Sequence, residues 1–388
     1  MTLRPDPAAM ADLLVIGGGL HGCATALAAA RRGLSVTLLE KDTIARHASG
    51  SNAGGLRRLN RHPAELELAQ LSMRLWHRIE QITGQDCGFQ PAPQIRVAES
   101  ADDMDRLEAR AALVRGLGYF NEVMLTEREL RAHLPAVAAQ CCGALASLED
   151  GFAHPHSTTL AFAAAARRAG VRVLEGQAVS ALAWDGSAWH VAAGEREFLA
   201  RRILNAAGAW GGAIAAMIGD HAPVEPIAPM MLVTSRLPAF CKAVVGAAGR
   251  PLSFKQMPNG TVVIGGARLG RADLVRNRTD LRMAELARSA ATAAEIFPIM
   301  RSAVIVRAWS GIEGRMPDQI PVMGAALSAP NAFHSFGFSA HGFQLGPAAG
   351  EVMAALIDTG ASPIPLDAFS IARFAQGAPT NPVQGEIP

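Results

Sequence analysis

Gly17, Gly19 and Gly22 complete a GxGxxG pattern within Gly17-Gly18-Gly19-Leu20-His21-Gly22. Glycines at this spacing suit the pyrophosphate of a dinucleotide. The first permits a tight turn, the second lets the backbone approach the phosphates, and the third lets a helix pack closely on a strand. The phosphates would lie at the helix N-terminus, where free N–H groups and the helix dipole favour negative charge. The flanks agree with this. Asp12 to Ile16 is an apolar run, Ala24 to Arg32 is a strong helix former ended by Gly33, and Ser35 to Leu39 is apolar again. Glu40, with Lys41 beside it, ends that second run where a carboxylate can accept from a ribose hydroxyl.

The glycine pattern serves NAD and FAD alike, and two further loops favour FAD. In the first, from His47 to Arg58, Ser49, Gly50, Ser51, Asn52, Gly54 and Gly55 offer small side chains and N–H donors. The second, Gly337-Phe338-Ser339-Ala340-His341-Gly342-Phe343-Gln344, precedes a predicted helix from Gly346 to Ile357 opened by Gly-Pro. A helix end there could stabilise charge on a reduced ring system.

The elements that must position these loops read as α/β at both ends of the chain and as an antiparallel sheet between. Pro63 opens a helix running toward Gln81, and Thr158 to Arg168 is another. Arg201 to Asn205 is a strand that enters the small-residue turn Ala206-Ala207-Gly208 before a helix near Trp210. From Val224 to Gly265 apolar residues alternate with Pro and Gly, with Pro258-Asn259-Gly260 as a hairpin turn. The order implies interleaved segments, with 12–85, 145–222 and 303–388 forming a dinucleotide-binding domain and 86–144 and 223–302 a substrate domain.

At 388 residues, 50% hydrophobic and 18% charged, the chain can bury a sizeable core. Its formal net charge of +2 gives no electrostatic footprint for nucleic acid. The five cysteines have no CxxC pair and no zinc spacing, so no metal site or cluster is expected, and reduced thiols suit the cytoplasm. The apolar stretch from Leu13 to Ala30 is too broken by glycines and His21 to span a membrane.

These motifs resemble the D-amino-acid oxidase superfamily, which includes glycine oxidase, sarcosine oxidase and D-amino-acid dehydrogenases. The resemblance covers nearly the whole chain. It rests on GxGxxG with Glu40, the Ser49 to Gly55 loop, Asn205-Ala206-Ala207-Gly208-Ala209-Trp210, Pro317-Asp318 with Pro321-Val322-Met323-Gly324, and His341-Gly342-Phe343. The last loop and Gly54-Gly55-Leu56-Arg57 look most like the catalytic FAD subunits of opine oxidases, hydrogen cyanide synthase and hydroxyproline dehydrogenases.

The resemblance implies an α/β plus α+β fold, with a Rossmann-like FAD-binding domain of GR2 type interleaved with an antiparallel-sheet domain. It places the Val179 backbone beside the adenine, Ala206, Ala207 and Gly208 beneath the cofactor with Trp210 following, and counts Gly311 among the cofactor-binding residues. Covalent relatives carry a flavin-linked histidine near the position of Asn52, so non-covalent FAD is implied. The implied reaction is oxidation of the C–N bond of an amino acid or N-substituted amino acid. A substrate carboxylate then needs an arginine, whose fork matches it bidentately. The candidates are Arg57, Arg58, Arg268 and Arg315, with His341 beside the ring. Ile312-Glu313-Gly314 departs from the Ala-Gly-Leu-Arg-Pro pattern of glycine oxidase. Partner subunits with iron–sulfur or flavin centres are also implied. The alternatives are an FAD-containing electron-transfer or structural subunit and an NAD-linked dehydrogenase.

Overall fold

The structure is a computed structural model that describes residues 4–5, 10–265 and 268–375. The expected strand, turn, helix and strand stand at the N-terminal end as Ala11–Ile16, Leu20–Arg31 and Val36–Leu39. The two strands pair in parallel with Leu13 opposite Val36. Both are buried apolar runs, as a parallel sheet covered on both faces requires. The sheet continues in the order Arg172–Leu174, Val36–Leu39, Ala11–Ile16, Arg196–Asn205, Trp189–Ala193 and Val179–Trp184. Ala332–Phe336 joins it in parallel beside Ile203–Asn205, far from its partner in sequence.

The helix Leu20–Arg31 packs on this sheet and against the C-terminal helix Gly342–Thr359. Close approach of the two helices depends on Gly346 and Gly350. A Cβ at Gly346 would run into the Leu20 side chain, and one at Gly350 would stand 2.6 Å from the Ala24 Cβ.

A second sheet has eight strands, ordered Ile305–Ser310, Met230–Thr234, Val262–Gly265, Ser253–Gln256, Val244–Ala247, Gln94–Ala98, Gly143–Ser147 and Val123–Thr126. The expected hairpin at Pro258-Asn259-Gly260 joins Ser253–Gln256 to Val262–Gly265, with Gly260 at φ +88°. Phe254 stacks on Phe297 at 4.5 Å in the core beneath it.

Two expectations need correction. Ile305–Ser310, assigned from sequence to the dinucleotide-binding segments, pairs antiparallel with Met230–Thr234 in the second sheet. The C-terminal helix begins at Gly342 and not at Gly346, so Pro347 lies inside it. A proline there removes a hydrogen bond and crowds the preceding turn. The neighbouring helix Leu66–Trp76 braces the adjoining turn. Ser72 Oγ donates to the Gln344 carbonyl at 2.5 Å and accepts from Ala348 N at 3.4 Å, while Trp76 Nε1 donates to the same carbonyl at 2.9 Å.

Candidate functional site

A cavity of about 650 Å³ runs from Glu40 and Val179 at one end, past the glycine turn, to Arg57, Arg61 and Arg96 at the other. Its size falls within the usual range for small-molecule and cofactor sites, roughly 300–1,000 Å³.

The glycine end is built as a cradle. Gly17 has φ +112°, and a Cβ on Gly22 would strike the Gly17 carbonyl. A Cβ on Gly17 would meet the Ala206 carbonyl, so the turn Ala206-Ala207-Gly208 closes directly beneath. Asn205 holds that turn, accepting from Ala207 N at 3.2 Å and donating to the Gly211 carbonyl at 2.8 Å. Glu40 accepts from Gly18 N at 2.6 Å with one oxygen and from Asp42 N at 2.8 Å with the other. Burial raises its pKa, and these two N–H groups oppose the rise. Each carboxylate oxygen still has a lone pair free for a hydroxyl. Lys41 sits 3.9 Å over the Trp210 ring and bonds Asn277 at 2.8 Å.

Ser49, at the single helical turn Ala48–Ser51, accepts from Leu20 N at 2.9 Å and so ties the second loop to the first. Asn52 donates to the Ala48 carbonyl at 2.9 Å and accepts from Gly54 N at 2.8 Å. Gly50, Ser51, Gly22 and Gly311 lie behind the wall. A Cβ on Gly311 would collide with the Ser51 side chain, and Ser51's carbonyl accepts from Trp309 Nε1 at 2.8 Å. The other expected cofactor positions line the cavity: Gly17, Gly19, Leu20, His21, Glu40, Lys41, Ser49, Asn52, Gly54, Gly55, Val179, Ala206, Ala207, Gly208 and Trp210, together with Gly337, Phe338, Ser339, His341, Gly342, Phe343 and Gln344 of the late loop.

His21 stacks on Phe338 at 3.6 Å, burial holds its imidazole down at about 3, and its buried Nε2 has no protein partner. A buried polar atom without a protein partner, beside a glycine cradle and a Glu40 carboxylate with acceptor capacity to spare, fits FAD.

The four arginine candidates separate. Arg57 lines the cavity and gives Nη1 to the carbonyls of Leu59 at 2.9 Å and Asn60 at 3.2 Å. Arg58 turns away to Asp150, which accepts its Nε at 2.8 Å, and to Gln70. Arg315 reaches the cavity wall but pairs with Glu225 at 2.6 Å, half-exposed. Arg268 pairs with Glu285 at 3.0 Å.

Sequence reasoning missed Arg61, Arg96, Glu65 and Glu313. Arg61 is 1% exposed and lines the cavity. It donates Nε to the Arg57 carbonyl at 2.9 Å and Nη2 to Gln344 Oε1 at 3.3 Å, and its buried Nη1 has no protein partner. Burial and the neighbouring Arg57 pull its pKa down to about 9, and the same two causes pull Arg96 to about 10. A signal was present, since Arg61 follows Arg57 by four residues in the same loop.

His341 donates Nδ1–H to the buried Glu65 carboxylate at 3.1 Å. Burial lowers the imidazole's pKa. For Glu65, burial pushes the carboxyl up, but His341, Arg61 and Arg57 outweigh it and hold it ionised. Glu313, on the short strand Glu313–Arg315, accepts from Ala340 N at 2.5 Å at the cavity wall, and burial pushes its carboxyl up to about 7.

Known proteins share this architecture. Glycine oxidase from Geobacillus kaustophilus is 26% identical over 93% of this chain and 97% of its own. The hydrogen cyanide synthase subunit HcnC of Pseudomonas aeruginosa is 25% identical over 94% and 96%, and the sarcosine oxidase subunit beta of Rhizobium meliloti 26% over 96% and 91%. The crystal structure of L-proline dehydrogenase from P. horikoshii superposes with a TM-score of 0.88 over 97% of this chain and 99% of that one, at 23% identity. The family model described as FAD dependent oxidoreductase, DAO, matches residues 12–356. With the glycine cradle, the Glu40 anchor and the late loop gathered on one cavity, the chain belongs to the DAO family of FAD-dependent oxidoreductases.

Proposed function

We propose that this chain oxidises the C–N bond of a small amino acid or N-substituted amino acid, a class that includes D-amino acids, hydroxyprolines, glycine, sarcosine and opines. The basic end of the cavity carries this reading. Arg61 keeps Nη1 buried and unpartnered, and Arg57 and Arg96 line the same cavity. Buried Glu65 faces Arg57 and Arg61, but one carboxylate does not balance the three cations Arg57, Arg61 and Arg96, and a substrate carboxylate supplies a further negative charge. Arg61 and Arg57 would hold that carboxylate and so fix which α-hydrogen faces the ring. This assigns the carboxylate to them in place of Arg58 and Arg315, whose guanidinium groups already have carboxylate partners.

Bound FAD would supply the hydride acceptor, a chemistry no side chain provides. The oxidised substrate, an imine, then hydrolyses in water to a carbonyl compound and an amine. Asn52, held by Ala48 and Gly54, supports FAD bound without a covalent link. Two of the relatives are named as subunits, which supports partner subunits as the next electron carriers. The five cysteines form no disulfide, and among the described residues no helix is long and apolar enough to cross a membrane. Both features fit a cytoplasmic enzyme.

Anaerobic mixing with a panel of D-amino acids, hydroxyprolines, sarcosine, glycine and opines tests the reading. One class should bleach the flavin, and acid precipitation should release that flavin into the supernatant. A colourless protein that FAD does not reconstitute, or a flavin that no amine bleaches, would sink it.

A further inference from the structure

We propose that Glu313 receives the substrate's ammonium group and takes its proton, so that the amine enters the reaction neutral. This rests on the amine-oxidising reading above and adds a base to it.

Three observations place Glu313 in this role. Its carboxylate stands on the wall of the cavity that Arg57, Arg61 and Arg96 also line. An amino acid is a zwitterion, and a cavity with cations at one end and an unpaired carboxylate on its wall complements both charges. Second, the Glu313 carboxylate has no cationic partner among the described residues. Arg315, two residues on along the same strand, is taken by Glu225. Third, the late loop is shaped to hold the carboxylate in position. Ser339 and Ala340 both adopt left-handed backbone, at φ +51° and +67°, and Ala340 N–H donates to Glu313 Oε1 at 2.5 Å. Left-handed conformations are uncommon for residues other than glycine and mark geometry that the surroundings enforce. Ser339 secures the turn by accepting from Met316 N at 3.0 Å.

The chemistry requires such a group. Departure of the α-hydrogen as hydride needs the nitrogen lone pair to form the C=N bond, and an ammonium has none. In the proposed step a substrate N–H bond breaks and an O–H bond forms on Glu313. No electrons change hands, and the proton passes later to solvent. The other titratable groups lining the cavity are engaged or held in one charge state: Glu40 accepts from Gly18 N and Asp42 N, Lys41 pairs with Asp42, and burial keeps the His21 imidazole neutral. Arg315 is paired with Glu225, His341 with Glu65 and His47 with Asp42, while Arg57, Arg61 and Arg96 stay cationic. Glu313 is the cavity carboxyl whose ionisation lies near neutrality.

The test is the pH dependence of the anaerobic flavin reduction rate in wild type, Glu313→Gln, Glu313→Asp and His341→Gln, using whichever amine bleaches the wild type. The glutamine amide still accepts from Ala340 N, so FAD content and Tm should match wild type. The wild-type rate should rise through one ionisation near neutrality. Glu313→Gln should fall about 10²-fold at pH 7. It should also lose that ionisation and recover only where the substrate's own amine deprotonates in solution. Glu313→Asp and His341→Gln should keep the ionisation. A Glu313→Gln enzyme with wild-type rate and profile overturns the base and leaves the amine reading intact, and so does an ionisation lost with His341. Should glutamine at 313 disturb FAD binding, Glu313→Asp decides, and a rate plateau unchanged by the shorter side chain overturns the proposal. A wild-type flavin that no amine reduces overturns both readings.

Discussion

Arg61 gives Nη2 to Gln344 Oε1 at 3.3 Å and keeps Nη1 of the same guanidinium buried without a protein partner. A half-satisfied buried guanidinium is costly unless something else completes it. If that is the substrate carboxylate, Arg61→Ala should raise KM by about 10²-fold, from the roughly 2–5 kcal/mol that truncating a buried charged hydrogen-bond partner costs. Arg61→Lys keeps a charge but loses the fork, and should recover only part of the loss. Arg58→Ala should leave KM near wild type and lower Tm, because Arg58 neutralises buried Asp150. Steady-state kinetics and thermal melts on the three variants separate binding from folding.

Glu40 bonds Gly18 N and Asp42 N with separate oxygens, so it shapes the glycine turn before any ribose arrives. Glu40→Ala should weaken FAD binding by at least tenfold. The ribose hydroxyl would lose its charge-assisted hydrogen bond to this carboxylate, at about 1.5–3 kcal/mol, and about 1.4 kcal/mol is a factor of ten. Glu40→Gln keeps one acceptor oxygen and should fall between. Fluorescence titration of the apoprotein with FAD measures the difference.

What the sequence revealed was what neighbours dictate. The demands on Gly17, Gly19 and Gly22 are set within one turn, so their pattern identifies the site without any long-range knowledge. Arginine assignment was opaque because residue type is the same and the partner decides the role. Asp150 claims Arg58 from 92 residues away, and Glu225 claims Arg315 from 90. Arg61 lay in view between a loop and a helix, yet its burial follows from packing against Gln344, 283 residues on. The Gly346-Pro347 pair misled for a similar reason. It reads as a helix start, while the helix begins a turn earlier, where Ser72 and Trp76 of a distant helix bond the Gln344 carbonyl.

Asp220 provides a pH-linked stability test away from the cavity. It accepts from Leu327 N at 3.0 Å, Ser328 N at 2.9 Å and His334 Nε2 at 3.0 Å. Burial pushes its pKa up, but His334, Ser328 and Leu327 outweigh it and hold the carboxyl well below the usual carboxylate range. A depressed folded-state pKa stabilises above the unfolded value, near 3.8, and the gain is lost as pH falls through the folded value. Asp220→Asn should therefore cost about 2 kcal/mol at pH 7, and the gap from wild type should narrow steadily below pH 4. Urea unfolding at several pH values gives the comparison, and a gap independent of pH would refute the linkage.

Gly350 tests the seam behind the glycine turn. A Cβ there would stand 2.6 Å from the Ala24 Cβ and 2.7 Å from the Ala24 carbonyl carbon, closer than real contacts allow. One obstacle is backbone, so no rotamer change relieves it. The helices must separate, and the helix that moves, Leu20 to Arg31, starts at the glycine turn. Gly350→Ala would gain about 1 kcal/mol from helix propensity alone, but overpacking of this kind costs roughly 1–3 kcal/mol. The expected outcome is a lower Tm together with weaker FAD affinity, and the second effect is diagnostic because residue 350 does not line the cavity. A variant as stable as wild type with unchanged FAD affinity would show that the seam has slack and that the glycine turn is positioned independently of it.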